Sequence, residues 1–517
     1  MNRREFLART AAGAVVPVIM GGFSLTAFGK TNIFNAVLNN AALSDRVLVL
    51  IQLNGGNDGL NTVIPLDQYS ALSAARANIL IPETSVLKLT EKTGLHPSMT
   101  GMMELFSEGR LAVVQSVGYP NQNFSHFRST DIWLTGAGYN ETLTTGWLGR
   151  YLDKEYPNYP EGYPSAVNPD PLAIQIGSIL SSALQGPTVG MGMAITSPTS
   201  FYQFLNGTVD PAPDTPAGHE LTFIREVAQQ TQQYASTIKT AAAKVTKQNP
   251  YPAGNSLAGQ LKIVAQLIAG GLKTRLYVTN LGGFDTHDNQ SARHQALLST
   301  LSSAIKAFQD DLKYLGAEDR VLGMTFSEFG RRIRSNGNGG TDHGAAAPLF
   351  LFGKNVNAGI VGANPVLPAA ATVNDNIAMQ IDFRSVYATV LRDWFAVPQE
   401  ELQAVMLNTY PAVPLIDVKA TGVSQERLRP SSFSISQNYP NPFNPTTRFQ
   451  FSVASLQFVS IKVFDSVGRE VATLVDETMA PGVYTAEWNG GAEPSGVYYC
   501  RLNTGAYTEV KKMVLEK

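Results

Sequence analysis

Arg46-Val47-Leu48-Val49-Leu50-Ile51-Gln52-Leu53 stays apolar without alternating, then stops at Asn54-Gly55-Gly56-Asn57-Asp58-Gly59. A strand with one wet face alternates, so a continuous run predicts a strand buried on both faces. Comparable runs recur at residues 110–117, 275–281, 320–326 and 348–352. Between them, Leu297, Leu298, Leu301, Ile305, Phe308 and Leu312 repeat at helical spacing. Strands alternating with such helices predict an α/β domain built on a doubly wound, mostly parallel sheet.

In sheets of this kind ligands bind beyond the carboxyl ends of the strands. After the first run stands Asp58, and after the second Pro120-Asn121-Gln122-Asn123-Phe124-Ser125-His126-Phe127-Arg128. The third leads into Gly283-Phe284-Asp285-Thr286-His287, and the fourth into Ser327-Glu328-Phe329-Gly330-Arg331-Arg332. Just before the fifth comes Gly340-Thr341-Asp342-His343-Gly344. Asp58, Asp285, Glu328, Asp342, His287 and His343 thus gather at one predicted sheet edge. Oxygen and nitrogen donors without thiolate suit a divalent metal, zinc or similar, as one or two ions. Such ions polarise a phosphoryl or sulfuryl oxygen and activate an attacking one.

Ser125 is the candidate nucleophile, because it opens a predicted helix over 125–134 whose first N–H groups favour an alkoxide and its anionic ester. His126 and Arg128 are candidates to orient an oxyanion, and Arg331 and Arg332 to clamp one. Blander readings stand beside these. Ser125 serves equally as an ordinary N-cap, and Glu328 as a helix cap or a partner for Arg331 or Arg332. His96 and His219, lone histidines, read as packing or surface residues.

The remaining sequence bounds the problem. With 517 residues, 44% of them hydrophobic, the chain has ample material for a large core. Its 39 basic and 41 acidic residues leave a net charge of -2, which argues against a nucleic-acid partner. Cys500 is the one cysteine, so neither an intramolecular disulfide nor a multi-cysteine metal site is available. Residues 1–29 carry Arg3-Arg4, a weakly apolar run and Ala27-Phe28-Gly29, and resemble a cleaved twin-arginine export signal. A membrane anchor is the alternative, but Gly13, Pro17, Gly21 and Gly22 interrupt a run already short of the ~20 residues needed to span. No integral membrane segment is expected in the mature chain. The α/β domain is expected over 30–417, with a cap-like insertion at about 136–252 containing an amphipathic helix around 221–245.

A polar linker, 418–432, precedes a different composition at 433–517. Pro440, Pro442 and Pro445 forbid helix and central strand, and period-two alternation follows in Arg448-Phe449-Gln450-Phe451-Ser452-Val453 and Val459-Ser460-Ile461-Lys462-Val463-Phe464. Turns at Val467-Gly468, Pro481-Gly482, Gly490-Gly491 and Ser495-Gly496 complete the pattern of a small antiparallel β-sandwich. The segments 438–445, 463–472, Pro494-Ser495-Gly496-Val497-Tyr498-Tyr499 and Lys511-Lys512-Met513-Val514-Leu515 resemble the type A C-terminal sorting domain of the type IX secretion system. That resemblance implies export to the cell surface or beyond, with the secretion machinery as a partner. A carbohydrate-binding module is the alternative, though the clustered aromatics of a sugar platform are missing.

The strand-end motifs of the central domain, taken together, resemble the exported domain-of-unknown-function 1501 family. That family is counted with the alkaline phosphatase and sulfatase superfamily, so the resemblance implies an alkaline-phosphatase-like fold without supplying a substrate. Asp342-His343-Gly344 matches one superfamily motif in one register. In the preferred register Ser327-Glu328-Phe329-Gly330 takes that place and Gly340-Thr341-Asp342-His343 matches a later motif. The resemblance then implies one ion on Asp285, His287 and His343, and another on Asp58 and Glu328 with Ser125 bridging. Phe329 stands where the superfamily has a histidine. The resulting expectation is an exported metal-dependent hydrolase acting on a small-molecule or glycan ester of phosphate or sulfate. A non-catalytic surface or glycan-binding protein with a degenerate sulfatase-like site is the competing reading.

Overall fold

A computed structural model describes residues 17–20, 23–26, 45–198, 233–417, 433–438, 440–453, 457–479, 482–505 and 507–517. Of the expected export signal it includes only the antiparallel backbone pair Pro17–Met20 and Phe23–Thr26. The rest of that signal, the 418–432 linker and the first part of the 221–245 helix lie outside the described residues. Contacts divide the chain into a large unit, Met1–Val397 with Glu401–Gly422, and a small one, Pro398–Glu400 with Val423–Lys517.

The large unit is organised by a nine-stranded sheet. Its strands are β1 (Val47–Asn54), β2 (Leu111–Gly118), β3 (Ala173–Ile176), β4 (Met193–Ile195), β5 (Leu276–Gly282), β6 (Val321–Phe326), β7 (Ala347–Phe352), β8 (Gly359–Val361) and β9 (Ile381–Asp382). They lie in the order β8-β2-β7-β6-β1-β5-β3-β4, with β9 also on β2. The five apolar runs of the sequence are β1, β2, β5, β6 and β7. Pairing is parallel for β1 with β5 and β6, and antiparallel for β7 with β6 and β2. The sheet is therefore mostly parallel, with β7 the reversed strand. That reversal explains why residues before β7 meet residues after β1, β2, β5 and β6. A strand entering where its neighbours leave brings its preceding loop to their carboxyl edge.

Both faces of the sheet are covered, which is why its strands are uniformly apolar. Leu48 and Leu50 face a core with Trp133, Trp147, Tyr387 and Trp394. Val47, Val49, Ile51 and Leu53 face the opposite core, supplied by Leu257, Leu261, Val264, Leu301, Ile305 and Phe308. Those last residues come from α2 (Ser256–Ala269) and α3 (Gln290–Tyr314); α1 (His126–Thr135) follows β2.

The small unit is all antiparallel. One sheet joins β10 (Ser434–Ile435), β11 (Thr446–Val453) and β14 (Gly482–Asn489). The other runs β13 (Glu470–Met479), β12 (Gln457–Phe464), β15 (Gly496–Asn503) and β16 (Thr508–Leu515). Phe449, Phe451 and Trp488 from the first meet Ile461, Val463, Leu502 and Met513 from the second in one core. The proline-rich segment has a definite task there. Val514 N–H donates to Asn441 Oδ1, Phe443 N–H donates to Val514 O, and Gln437 donates to Lys512 O, closing the outer edge of β16. An edge left open would invite pairing with other chains. Cys500 is buried in this core, and burial pushes its thiol up to about 12, so it is chemically quiet.

Candidate metal centre

The loops at the carboxyl edge are held so closely that side chains are excluded from two positions. Gly55 and Gly56 have φ of 120° and 83°. A methyl on Gly55 would lie 2.3 Å from the Asp285 backbone nitrogen, and one on Gly56 would lie 2.3 Å from the Phe329 ring. Helix α1 is tied to the same place, since the Ser129 hydroxyl donates to the Glu328 carbonyl and contacts Tyr119 Oη at 2.9 Å.

Four residues converge here. His126 Nε2 lies 3.4 Å from Asp285 Oδ2, while His287 Nε2 and His343 Nε2 lie 3.0 and 3.1 Å from Asp285 Oδ1. His287 Nε2 and His343 Nε2 are 2.9 Å apart. His126, Asp285 and His343 each offer one ligand atom, all within 4.8 Å of one another.

What stands behind each imidazole fixes its tautomer. His343 Nδ1 meets the Phe124 carbonyl at 2.7 Å, and a carbonyl oxygen only accepts. His126 Nδ1 meets Glu328 Oε1 at 2.9 Å, and that oxygen already accepts the Gly55 N–H. Asp342 Oδ1 stands 3.2 Å from His287 Nδ1. Burial would raise the Asp342 carboxyl, but hydrogen bonds from Asn336 and His287 hold it below its usual value, so it accepts. Each ring thus has an acceptor for an Nδ1 proton, and in that neutral tautomer it turns a bare Nε2 toward Asp285. Burial depresses His343 below the ordinary imidazole value, which keeps it neutral. Lone pairs facing a carboxylate repel it unless a cation lies between them, and an Nδ1 proton held by an acceptor is the usual support behind a metal-binding histidine. Three nitrogens and an oxygen without thiolate fit a zinc-like divalent ion.

The expected site residues divide accordingly. Asp285, His287 and His343, expected as ligands, lie together, and His126, expected to orient an oxyanion, lies with them. Glu328 and Asp342, expected as ligands, stand behind His126 and His287. Asp58 is placed elsewhere: it is 0% exposed and paired with Arg76 at 2.8 Å, also 0% exposed. It also accepts from Leu60 N–H and Gln290 Nε2, so its oxygens are spoken for. Burial opposes its ionisation, but Arg76 and His294 hold the carboxyl below its usual value. Arg128 turns away, to Asp131 and the carbonyls of Gly138, Tyr139 and Glu141. Ser125 is exposed at the N-cap of α1, between Phe124 and His126, and its hydroxyl makes no capping bond.

Arg331, expected to clamp an oxyanion, is sealed inside. It is 0% exposed, with Nη2 2.7 Å from Asp285 Oδ1. Burial would raise the Asp285 carboxyl, yet the hydrogen bond from Arg331, the contact with His343 and the Arg331 charge hold it at about 2. Arg76 and Gln290 were missed by sequence reasoning. Gln290 had a signal, since it lies four positions before His294 on α3, and both turn to the Asn57–Asp58 loop.

Residues 210–406 match the family described as Protein of unknown function (DUF1501). Residues 437–516 match the Secretion system C-terminal sorting domain. With this type IX tail the chain is exported, to the cell surface or beyond, which implies contact with that machinery. No helix among the described residues is long and apolar enough to cross a membrane. Solved structures with some likeness include the PsFucS1 sulfatase from Pseudoalteromonas sp., at 13% identity over 89% of this chain and 88% of that one, TM-score 0.32. Another is a protein in the alkaline phosphatase superfamily from Vibrio parahaemolyticus, at 9% identity, 92% and 91% coverage and TM-score 0.31. PorZ, a surface component of the type-IX secretion system of Porphyromonas gingivalis, is matched at 17% identity over 17% of this chain and 12% of that one, TM-score 0.12. Likenesses this slight transfer no residue role. No curated protein matches the chain.

Proposed function

We propose that the chain is an exported, metal-dependent hydrolase of phosphate or sulfate esters. The observation that carries this reading is the convergence of three imidazole Nε2 atoms on the Asp285 carboxylate, each ring fixed from behind at Nδ1. His126, Asp285, His287 and His343 would hold the ion. When bound, a divalent ion supplies Lewis acidity toward an ester oxygen. Glu328, Asp342 and the Phe124 carbonyl hold the three rings in orientation. Ser125 presents a free hydroxyl beside them, at the start of a helix whose N–H groups and dipole favour an anionic ester. Its Oγ bonds to phosphorus or sulfur, the departing oxygen leaves with its electron pair and takes a proton, and water then releases the inorganic anion from serine.

Metal analysis of the purified protein, with hydrolysis of an aryl phosphate and an aryl sulfate, tests this. Bound zinc-like metal and Ser125-dependent turnover support it. Metal without turnover would leave a non-catalytic surface protein, the reading that the Phe329 ring beside His126 and His343 favours. Turnover unchanged in Ser125→Ala removes the nucleophile.

A further inference from the structure

We infer that this centre takes one ion, because the groups that would hold a second are already taken, Asp58 and Asp285 by buried arginines and Glu328 by a backbone N–H and His126; the inference rests on the metal reading above. A second ion needs carboxylates or imidazoles beyond the first set. Asp58 is one candidate, and its carboxylate receives both Arg76 Nη1 contacts, at 2.9 and 2.8 Å, together with Leu60 N–H and Gln290. Arg76 in turn is fixed by the carbonyls of Arg332 and Ile333, so the pair cannot part without stranding a buried charge.

Glu328 is the other candidate. It is 2% exposed, and Oε1 takes the Gly55 N–H and His126 Nδ1 while Oε2 lies 3.3 Å from Ser327 Oγ. Releasing it would free the His126 ring from its orientation. Beside it, the ring of Phe329 packs at 4.9 Å from His126 and 4.5 Å from His343, so hydrocarbon stands where a further donor would be needed.

Asp285 remains, and a second cation would have to bridge through its Oδ1. Arg331 already occupies that oxygen. Its Nε donates to Gly56 O at 2.8 Å, Nη1 to Thr341 O at 2.8 Å, and Nη2 to Gly55 O, to Phe284 O at 2.9 Å and to Asp285 Oδ1 at 2.7 Å. A guanidinium stays charged across the physiological range, and this one is pinned across the loops after β1, β5 and β6. It places a permanent positive charge against the carboxylate where a second ion would approach. Arg76 on Asp58 and Arg331 on Asp285 thus do by salt bridge what a second metal would do by coordination.

Metal-stripped full-length protein titrated with Zn²⁺ in a calorimeter, and with Mn²⁺ under electron paramagnetic resonance, tests this. One tight event per chain and an uncoupled manganese signal are expected. Two tight ions per chain, or a spin-coupled manganese pair, would overturn the inference while leaving the metal reading intact. No tight ion at all would remove both. Asp58→Asn is expected to keep one Zn²⁺ per chain with affinity within about twofold of the parent; loss of a bound ion in that variant would show Asp58 to be a ligand after all.

Discussion

Two aspartates follow neighbouring strands of one sheet, and they live in opposite surroundings. Asp58, after β1, is met only by groups that donate: Arg76, Gln290 and a backbone N–H. Asp285, after β5, is met on one side by Arg331 and on the other by three imidazole Nε2 atoms whose rings each face an acceptor at Nδ1. Each has an arginine, and each has histidine nearby. The difference lies in where the ring protons point. A carboxylate surrounded by donors is satisfied and holds the fold together, whereas one facing lone pairs calls for a cation. Exposure agrees: Asp58 is sealed, while the Asp285 side chain is 46% exposed and open to solutes.

Breaking the Asp285 side should have the largest effect. Asp285→Asn removes the charge that the imidazoles converge on, and metal should no longer survive dialysis, as elemental analysis would read. Retained metal would end the distinction between the two aspartates. On the other side, Asp58→Asn leaves Arg76 as a buried unpaired charge, which costs about 3–5 kcal/mol. Denaturant unfolding would show that loss with metal content unchanged.

Smaller effects sharpen the comparison. Glu328→Gln disturbs the support behind His126 without removing a ligand, and should weaken metal affinity about 10- to 100-fold. A direct ligand would lose far more, so a competitive chelator titration tells the two roles apart. A last effect belongs to the sealed cluster and appears only in acid. Burial holds His96 and His294 at about 4, below the ordinary 6.5. The unfolded chain takes up protons on both as pH falls through about 6.5, while the folded chain does not until about 4. Stability should therefore fall as pH drops across that window and stay level above it. His294→Gln should flatten the slope measured by denaturant unfolding; an unchanged slope would show that His294 is not its source.

The sheet was legible because burial on both faces writes itself as unbroken apolar runs, as in Val47–Asn54 and Leu111–Gly118. Legible too was the gathering of the motifs that follow β1, β2, β5 and β6, since connectivity alone carries them to one edge; the motif before β7 reaches it only through that strand's reversal. The reversal of β7 was not, because a buried run reads the same in either direction. Nor was the division of roles among the acids. Whether Glu328 binds an ion or steadies His126 depends on which nitrogen it touches, a matter of ångströms that no spacing encodes. The surroundings of Asp58 were hidden for a similar reason. Its partner Arg76 comes 18 positions later on another element, and nothing in the pattern ties the two.

The most direct test is a crystal structure of zinc-loaded protein with anomalous scattering collected at the metal edge. A peak is predicted among His126 Nε2, His287 Nε2, His343 Nε2 and Asp285, with no peak beside Asp58. A difference map empty at Asp285, or a peak held by Asp58, would contradict the account.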